Sequence, residues 1–431
     1  MVEKTKKLAM ELGSTGLRRY GTLSLVYEEF LRQLSPTSIR GVQLYNEMSM
    51  NDPVVGSILY AIEMLIRQVS WTVSPFADEA QDQERAQFVE SCMNDMSQSW
   101  NDTISEILSM LVYGWSWHEI VYKRRLGDTY DPMTRSRHKD GLIGWRKLPI
   151  RGQDTLYNWE FDESGGIQAM WQISPPVYQS VRIPIEKSLL FRTKVRKGNP
   201  EGLSILRNAF RPWYFKKRLE EIEGIGVERD LAGLPVAFVP PEIMNPQATG
   251  AERTIFEQIK KIVTNIRRDE QEGVVFPMMY DDNGRTMYDL KLLSTGGQRQ
   301  FNTNDIIKRY DQRIAMVVLA DILLMGQDKV GSYSLSINKT ELFLVAITSW
   351  LDSITAVFNR YAIPRLFKLN GWPTDRLPCL NHGAVHMPDL EALSKYLQSL
   401  SNIGFPLLPD EGLENYLRSA AKLPPKTEEV E

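Results

Sequence analysis

The chain has little of what an enzyme needs. Only four histidines occur in 431 residues, and no acid, base and nucleophile form a recognisable set. No P-loop pattern is present, and no glycine is followed by lysine, which excludes a chain that powers DNA movement by itself. The two cysteines, Cys92 and Cys379, form neither a CxxC nor a CxxH pair. They predict two reduced, partly buried thiols rather than a disulfide framework or a zinc site. Positive charge is not in excess: 51 basic residues face 54 acidic ones, a net of -3. A tight duplex binder neutralises many phosphates and carries a basic surplus, so any contact with DNA is expected to be loose or local. The first twenty residues lack an apolar run, and no stretch of about 18 apolar residues follows. A soluble chain made in a cytoplasm, with no membrane partner, is the expectation. No repeat or low-complexity tract interrupts it.

What is present reads as globular. Hydrophobic residues make up 42% and charged ones 24%, and ten Trp supply large surfaces for cores or interfaces. The length implies two to four modules. The N-terminal arm is polar until about Gly41. "NDPVVGSILYAIEMLIRQ" is a helix capped by Asp52, with Pro53 in its first turn. "VSWTVSP" alternates as a strand, and a charged helix covers residues 78–96. "NDTISEILSMLVYG" is a helix capped by Asn101 or Asp102 and stopped by Gly114, with the strand "WSWHEIVYKRR" after it. Short strands and turns follow to Pro184, including "DESGG" between "YNWEF" and "IQAMWQIS". Residues 41–200 are therefore a mixed α+β body.

Beyond it, residues 201–230 are helical, and Pro212 suits the first turn of a helix starting there, with 203–210 a separate short helix. "LPVAFVPPEIMNP" marks a boundary. Ile255, Ile259, Ile262 and Ile266 stripe a helix over 251–272, and "GVVFPMMYDDNGRTMYDLKLL" predicts two strands around a DNG turn. This stretch of about 60 residues has a stripe and a sheet of its own, enough for a small α/β module. A helix over 303–325, the polar loop "GQDKVGSYSLS", a long helix over 338–370 bent at Pro364, and a helical tail complete the order.

Candidate chemistry is thin. "WHEIVY" has Tyr122 where a zincin needs its second His, so His118 reads as a hydrogen-bonded structural residue on a strand face. His382 and His386 are four apart, but Gly383 and Pro388 favour a loop over a metal-binding helix. "YDDNGR" lacks the spaced acids of a calcium loop, and "GLSIL" is not a nucleophile elbow. "RPWYFKKRLEE" resembles a grip for nucleic acid until its acids are counted. Lys216 faces Glu220 and Lys217 faces Glu221 at i,i+4, and Arg211–Glu223 holds four bases and three acids. A charge-laced helix face is the expected outcome.

The order of these modules, with "EMSMNDPVVGSILYAIEMLIRQVSWTVSP", "LVYGWSWHEIVYKRR", "RKGNPEGLSILRNAFRPWYFKKRLEEIEGIGVERDLAGLPV", "VFNRYAIPRLFKLNGWP" and "LPPK", resembles tailed-bacteriophage portal proteins of the Mu-like type. The resemblance implies an α+β portal-type fold. In it, 1–40 is an arm, 41–200 the first part of an α/β wing, 201–234 the first stem helix and 235–300 a small α/β clip insert. Residues 301–325 are then the second stem helix, 326–336 a tunnel loop, 337–371 the long wing helix, and 372–431 a helical crown and tail. It further implies a non-enzymatic homo-oligomeric ring of about twelve subunits, closed by head-to-tail interfaces, at a capsid vertex in the virion. Implied partners are the terminase large subunit, head–tail adaptor or neck proteins, major capsid and scaffold proteins, and double-stranded DNA passing without tight or sequence-specific binding. No cofactor and no metal are implied.

On that resemblance the stem wall and subunit contacts include Trp213, Lys216, Lys217, Glu220, Glu221, Lys308, Arg309 and Arg313. The tunnel loop offers Gln327, Asp328, Lys329, Ser332, Tyr333 and Ser334 to DNA, and Arg267, Arg268, Asp269, Glu270, Asp281 and Asp282 belong to the docking clip. Near-zero charge then has a mechanism, since a conduit must not hold its genome. The rivals are a nucleic-acid enzyme with a carboxylate metal site at Asp281 and Asp282, and a head–tail adaptor ring, a class usually much shorter.

Overall fold

Asp52 caps a helix as its sequence demands, its Oδ1 accepting from Val54 and Val55 N–H at 2.9 and 3.0 Å, with Pro53 in the first turn. The computed structural model describes residues 39–195, 199–232, 234–245, 249–265, 280, 284, 289–293, 302–317, 320, 333–385, 395 and 398–399. They fall into two units, residues 1–210 with 314–431, and residues 211–313.

The first described element of this unit is α1 (Ile39–Asn51), which begins two residues before Gly41, inside the polar arm that the sequence predicts. Gly41, Tyr45 and Met48 are its buried stripe. Then come α2 (Pro53–Arg67), β1 (Trp71–Ser74), α3 (Ala80–Asn94), α4 (Trp100–Ile107) and α5 (Ser109–Tyr113). The cap of α4 is Ser99, not Asn101 or Asp102: its Oγ accepts from the Asp102 N–H at 3.0 Å. Gly114, at φ 91°, stops α5 as expected.

The strands are β2 (Trp115–Glu119), β3 (Val121–Arg124), β4 (Ile143–Lys147), β5 (Ile150–Arg151), β6 (Leu156–Phe161), β7 (Ile167–Ile173), β8 (Ser180–Pro184) and β9 (Ser188–Arg192). β2 lies between β5 and β9, β3 pairs β4, and β6, β7 and β8 form a meander. Residues Trp115 to His118 are all buried, so β2 has no solvent face. Trp115 and Trp117 pack on Trp159 in a small cluster. On the opposite face, the His118 ring lies edge-on to Phe191. Its Nδ1 donates to the Leu148 carbonyl at 2.8 Å, and its Nε2 accepts a hydrogen bond from the Ser116 hydroxyl at 2.6 Å. Burial holds its pKa down at about 4, so it is a neutral structural histidine.

Next in the chain are α6 (Phe210–Ala232), β10 (Leu234–Phe238), α7 (Gly250–Asn265), β11 (Asp289–Leu293) and α8 (Thr303–Val317). Back in the first unit are α9 (Tyr333–Val357), α10 (Ile363–Leu369) and β12 (Cys379–His382). A π-helical turn, Phe358–Ala362, joins α9 to α10 just before Pro364. Proline has no N–H to give and its ring crowds the preceding turn, which a wider turn relieves. Phe343, Ile347, Leu351, Ile354, Phe358 and Phe367 bury one stripe of this long helix in the main core, with Ile62, Ile66, Val89 and Ile104. Thr340–Leu369 is long and apolar enough to cross a membrane by length and composition, but that stripe belongs to a protein core.

Several sequence expectations are corrected. β12 pairs β1, Trp71 opposite His382, so Asn381 and His382, expected in a loop, are strand. His382 Nε2 meets Asp352 at 3.0 Å, while His386 lies outside the described residues. Cys92 is buried but Cys379 is exposed, and both are free. Of the helix expected over 303–325, Thr303–Val317 is described as helix, Ala320 is not helical though its N–H donates to the Ala315 carbonyl at 2.9 Å, and 318–319 and 321–325 lie outside the described residues. Tyr333 and Ser334, expected in a loop before a helix from 337, are helical residues of α9.

Within the second unit, β11 pairs antiparallel with β10, Val236 opposite Lys291. The strand expected to lead into the DNG turn lies outside the described residues, so β11's described partner is the proline-flanked stretch read as a boundary. Thr249 and Glu252 cap α7, the carboxylate accepting from the Thr249 N–H and hydroxyl at 2.7 Å each. Ile259 and Ile243 are buried there.

A polar joint in the first unit ties residues 199–206 to the end of α5. Thr193 Oγ1 donates to the Leu203 carbonyl, and Ser204 Oγ to the Val112 carbonyl. Trp159 Nε1 donates to Glu201 Oε1 at 3.2 Å. Desolvation pushes the Glu201 carboxyl up to about 7, against the lowering effect of that bond. The folded state therefore holds a proton that the unfolded chain releases near its ordinary value. This stabilisation is full below about pH 4.5 and is lost as pH rises through 7. Glu201→Gln removes that loss, so thermal melts at pH 8 should show a variant more stable by about 1 kcal/mol, allowing for partial exposure, and no gain at pH 4.5. His118 has the opposite sign: its contribution is full above pH 6.5 and falls toward pH 4.

Candidate functional site

Pro212 sits in the first turn of α6, as the sequence predicts, preceded by a 3-10 turn at Ile205–Arg207. Within the second unit α6 faces α8. Lys216 Nζ lies 2.7 Å from Asp311, Phe215 stacks on Tyr310 at 6.3 Å and 20°, and Thr303 Oγ1 bonds Glu223. Residue numbers rise along one helix as they fall along the other, so the pair is antiparallel.

The side chains separate by depth. Lys216, with 3% of its side chain exposed, lies in the interior between the helices, and Trp213 is also buried. Asp311 is the nearer acid, and Glu220, the expected partner, is at 3.9 Å. The ammonium approaches Asp311 Oδ1 off the line of a hydrogen bond, so charge rather than directional bonding holds the pair. A lysine and an aspartate on otherwise apolar stripes were the sequence signal for this pair, and Asp311 was missed.

Lys217, Glu220, Glu221, Lys308, Arg309 and Arg313 are exposed. The Lys217 ammonium lies over the Trp213 ring at 5.6 Å. Arg309 and Arg313 flank the Tyr310 ring at 5.6 and 5.9 Å, and Arg218 reaches Glu221 at 3.8 Å. The aromatics of "RPWYFKK" thus meet protein: Trp213 is buried, and Phe215 covers Tyr310.

Tyr333 and Ser334 are in α9. Gln327, Asp328, Lys329 and Ser332, and also Arg267, Arg268, Asp269, Glu270, Asp281 and Asp282, lie outside the described residues. Among the described residues no group of three His, Cys, Asp or Glu is placed to hold a metal ion.

Over 89% of its length the chain superposes on 94% of a protein from the neck of an empty gene transfer agent particle, with a TM-score of 0.51 and 13% identity. An HK97-family phage portal protein from Corynebacterium diphtheriae covers 80% of this chain and 95% of its own at a TM-score of 0.41 and 13% identity. The family model for the portal protein of Mu bacteriophage matches residues 42–417. With nearly the whole chain inside that match, this protein belongs to the Mu-type family of bacteriophage portal proteins.

Proposed function

We propose that about twelve copies close into a ring through head-to-tail contacts, with the α6–α8 pair as the wall of a channel for double-stranded DNA. The family match over residues 42–417 carries this reading. An antiparallel helix pair bracketing a small α/β segment agrees with it. In this assignment residues 235–300 are the clip, which docks the terminase large subunit during packaging and an adaptor or neck protein afterwards. Residues 326–336 are the tunnel loop and 372–431 the crown, and the virion vertex is the site of action. The ring is structural: movement of DNA is powered by a separate motor chain.

Exposed charge on a wall whose Lys216 is neutralised internally suits a conduit, because phosphate finds no desolvated cation to bind. The test is imaging of the purified full-length chain by negative stain, with mass measurement in parallel. Annular particles with a central channel are the expected result. A compact monomer under every solution condition would overturn the assignment.

A further inference from the structure

A cleft of about 430 Å³ opens in the first unit between the end of α3, strands β3 and β4, and the loop joining those strands. Lys123 of β3, its side chain only 6% exposed, meets the Asp95 carboxylate there at 2.8 Å. Asp95 also accepts from the Ser136 hydroxyl at 2.6 Å and from the Arg137 N–H at 2.9 Å. Its charge is thus used in fixing the loop that carries Arg137. Ser97 likewise holds the backbone of Arg146 in β4, its N–H and hydroxyl donating to the Arg146 carbonyl at 2.8 and 3.1 Å. Both arginines are anchored at the backbone before any ligand arrives.

The charges lining the cleft do not cancel. Lys123, Arg135, Arg137 and Arg146 stand against Asp95 and Asp128, four bases against two acids. Arg135 is taken by Asp128 at 3.0 Å, as Lys123 is by Asp95. Among the described residues, Arg137 and Arg146 have no carboxylate partner. Met96 and Pro132 add apolar lining beside them. Such a surface fits a short acidic peptide with an apolar residue better than a phosphate. Asp95 and Asp128 repel a dianion, while single carboxylates pair with single guanidinium forks.

The chain itself supplies such a segment. Residues 427–431, "TEEVE", carry Glu428, Glu429 and Glu431 around Val430, with no base among them. In an extended segment Glu429 and Glu431 share a face, two carboxylates for two guanidiniums. Pro424 and Pro425, just before it, favour that extended form. The stretch from Val385 to Thr427 can span up to roughly 140 Å when extended, so reach does not limit the contact. We propose that the cleft between α3, β3 and β4 is a docking site for the acidic segment 427–431 of the same chain, held by Arg137 and Arg146. The assignment does not depend on the portal reading. A tethered segment meets its site at high effective concentration, so acidic segments of other proteins must displace it to enter.

The test follows binding of a fluorescent peptide of residues 423–431 to the full-length protein by anisotropy. The wild-type chain should bind it weakly, because its own segment fills the cleft. Glu428→Gln/Glu429→Gln/Glu431→Gln in the full chain should free the cleft and tighten peptide binding about tenfold or more, less so at high salt. Adding Arg137→Ala/Arg146→Ala to that variant should abolish the gain. A peptide with its glutamates replaced by glutamine should lose the same binding without any further change to the protein, which decides the matter if the arginine variant fails to fold. Equal peptide affinity for the wild type and the Glu variant overturns the proposal. If both then bind tightly through Arg137 and Arg146, the occupant is an acidic segment of another protein. Tighter binding of a peptide of residues 408–416, "LPDEGLENY", would overturn the choice of segment. Displacement of the peptide by millimolar inorganic phosphate but not by acetate would make a phosphate the ligand and overturn it too.

Discussion

Gly114→Ala is expected to destabilise the protein by about 3 kcal/mol or more, adding positive-φ strain to an overpacked contact. Gly114 sits at φ 91°, and a Cβ there would lie 2.5 Å from the Glu201 carbonyl oxygen and 2.9 Å from the Leu203 and Ser204 nitrogens. These are backbone atoms, which cannot swing aside as a side-chain tip does. Gly202, at φ 61°, is the reciprocal position, since a Cβ on it would enter the shell of the Gly114 carbonyl. The two glycines let two backbone segments touch where Thr193 and Ser204 bond across the joint. A fall in melting temperature of roughly 5–10 °C should follow in calorimetry. Gly165→Ala, also at positive φ but with no atom within 4 Å of its Cβ, should cost only the smaller conformational part. Equal melting temperatures for both variants would mean that close packing at the joint contributes nothing.

The second large effect is expected at the interior ion pair of the stem. Asp311→Ala removes the nearer carboxylate from an ammonium that is only 3% exposed and leaves Glu220 at 3.9 Å. Breaking a fully buried pair costs 3–5 kcal/mol. Asp311 keeps 23% of its side chain in solvent, so about 2 kcal/mol is expected here. Lys216→Met/Asp311→Leu replaces both charges by apolar volume and should return to near wild-type stability, because the desolvation penalty disappears along with the attraction. Denaturant unfolding of the wild type, Lys216→Met, Asp311→Leu and the double variant completes a double-mutant cycle. A double variant as unstable as Asp311→Ala would show that the pair acts through something other than charge compensation.

Wherever the physics is local, the residues alone were sufficient. Asp52 and Pro53 start α2, Gly114 ends α5, Pro212 enters α6 in its first turn, and the long helix changes its winding just before Pro364. Each follows from a missing N–H, a permitted φ or a capping oxygen within four residues. α1 escaped notice because its stripe is short and lies among polar residues, although Gly41, Tyr45 and Met48 keep helical spacing. The resemblance to portal proteins rested on ordered local signatures of this kind, and the family match over residues 42–417 agrees with it.

Pairings across long stretches of chain were decided elsewhere. β1 joins β12 about 300 residues away, and β11 takes β10 as its described partner, since a strand's edge states its hydrogen-bonding need but not who will meet it. The stem shows the same division most plainly. Sequence alone established that "KKRLEE" balances within one helix and that the chain as a whole lacks the charge to grip a genome. Only tertiary structure decided that Lys216 is spent inward on Asp311 of the facing helix and that Phe215 stacks on Tyr310. Charge balance along a helix depends on spacing, which the sequence states; charge balance across helices depends on register, which exists only once the two helices have packed.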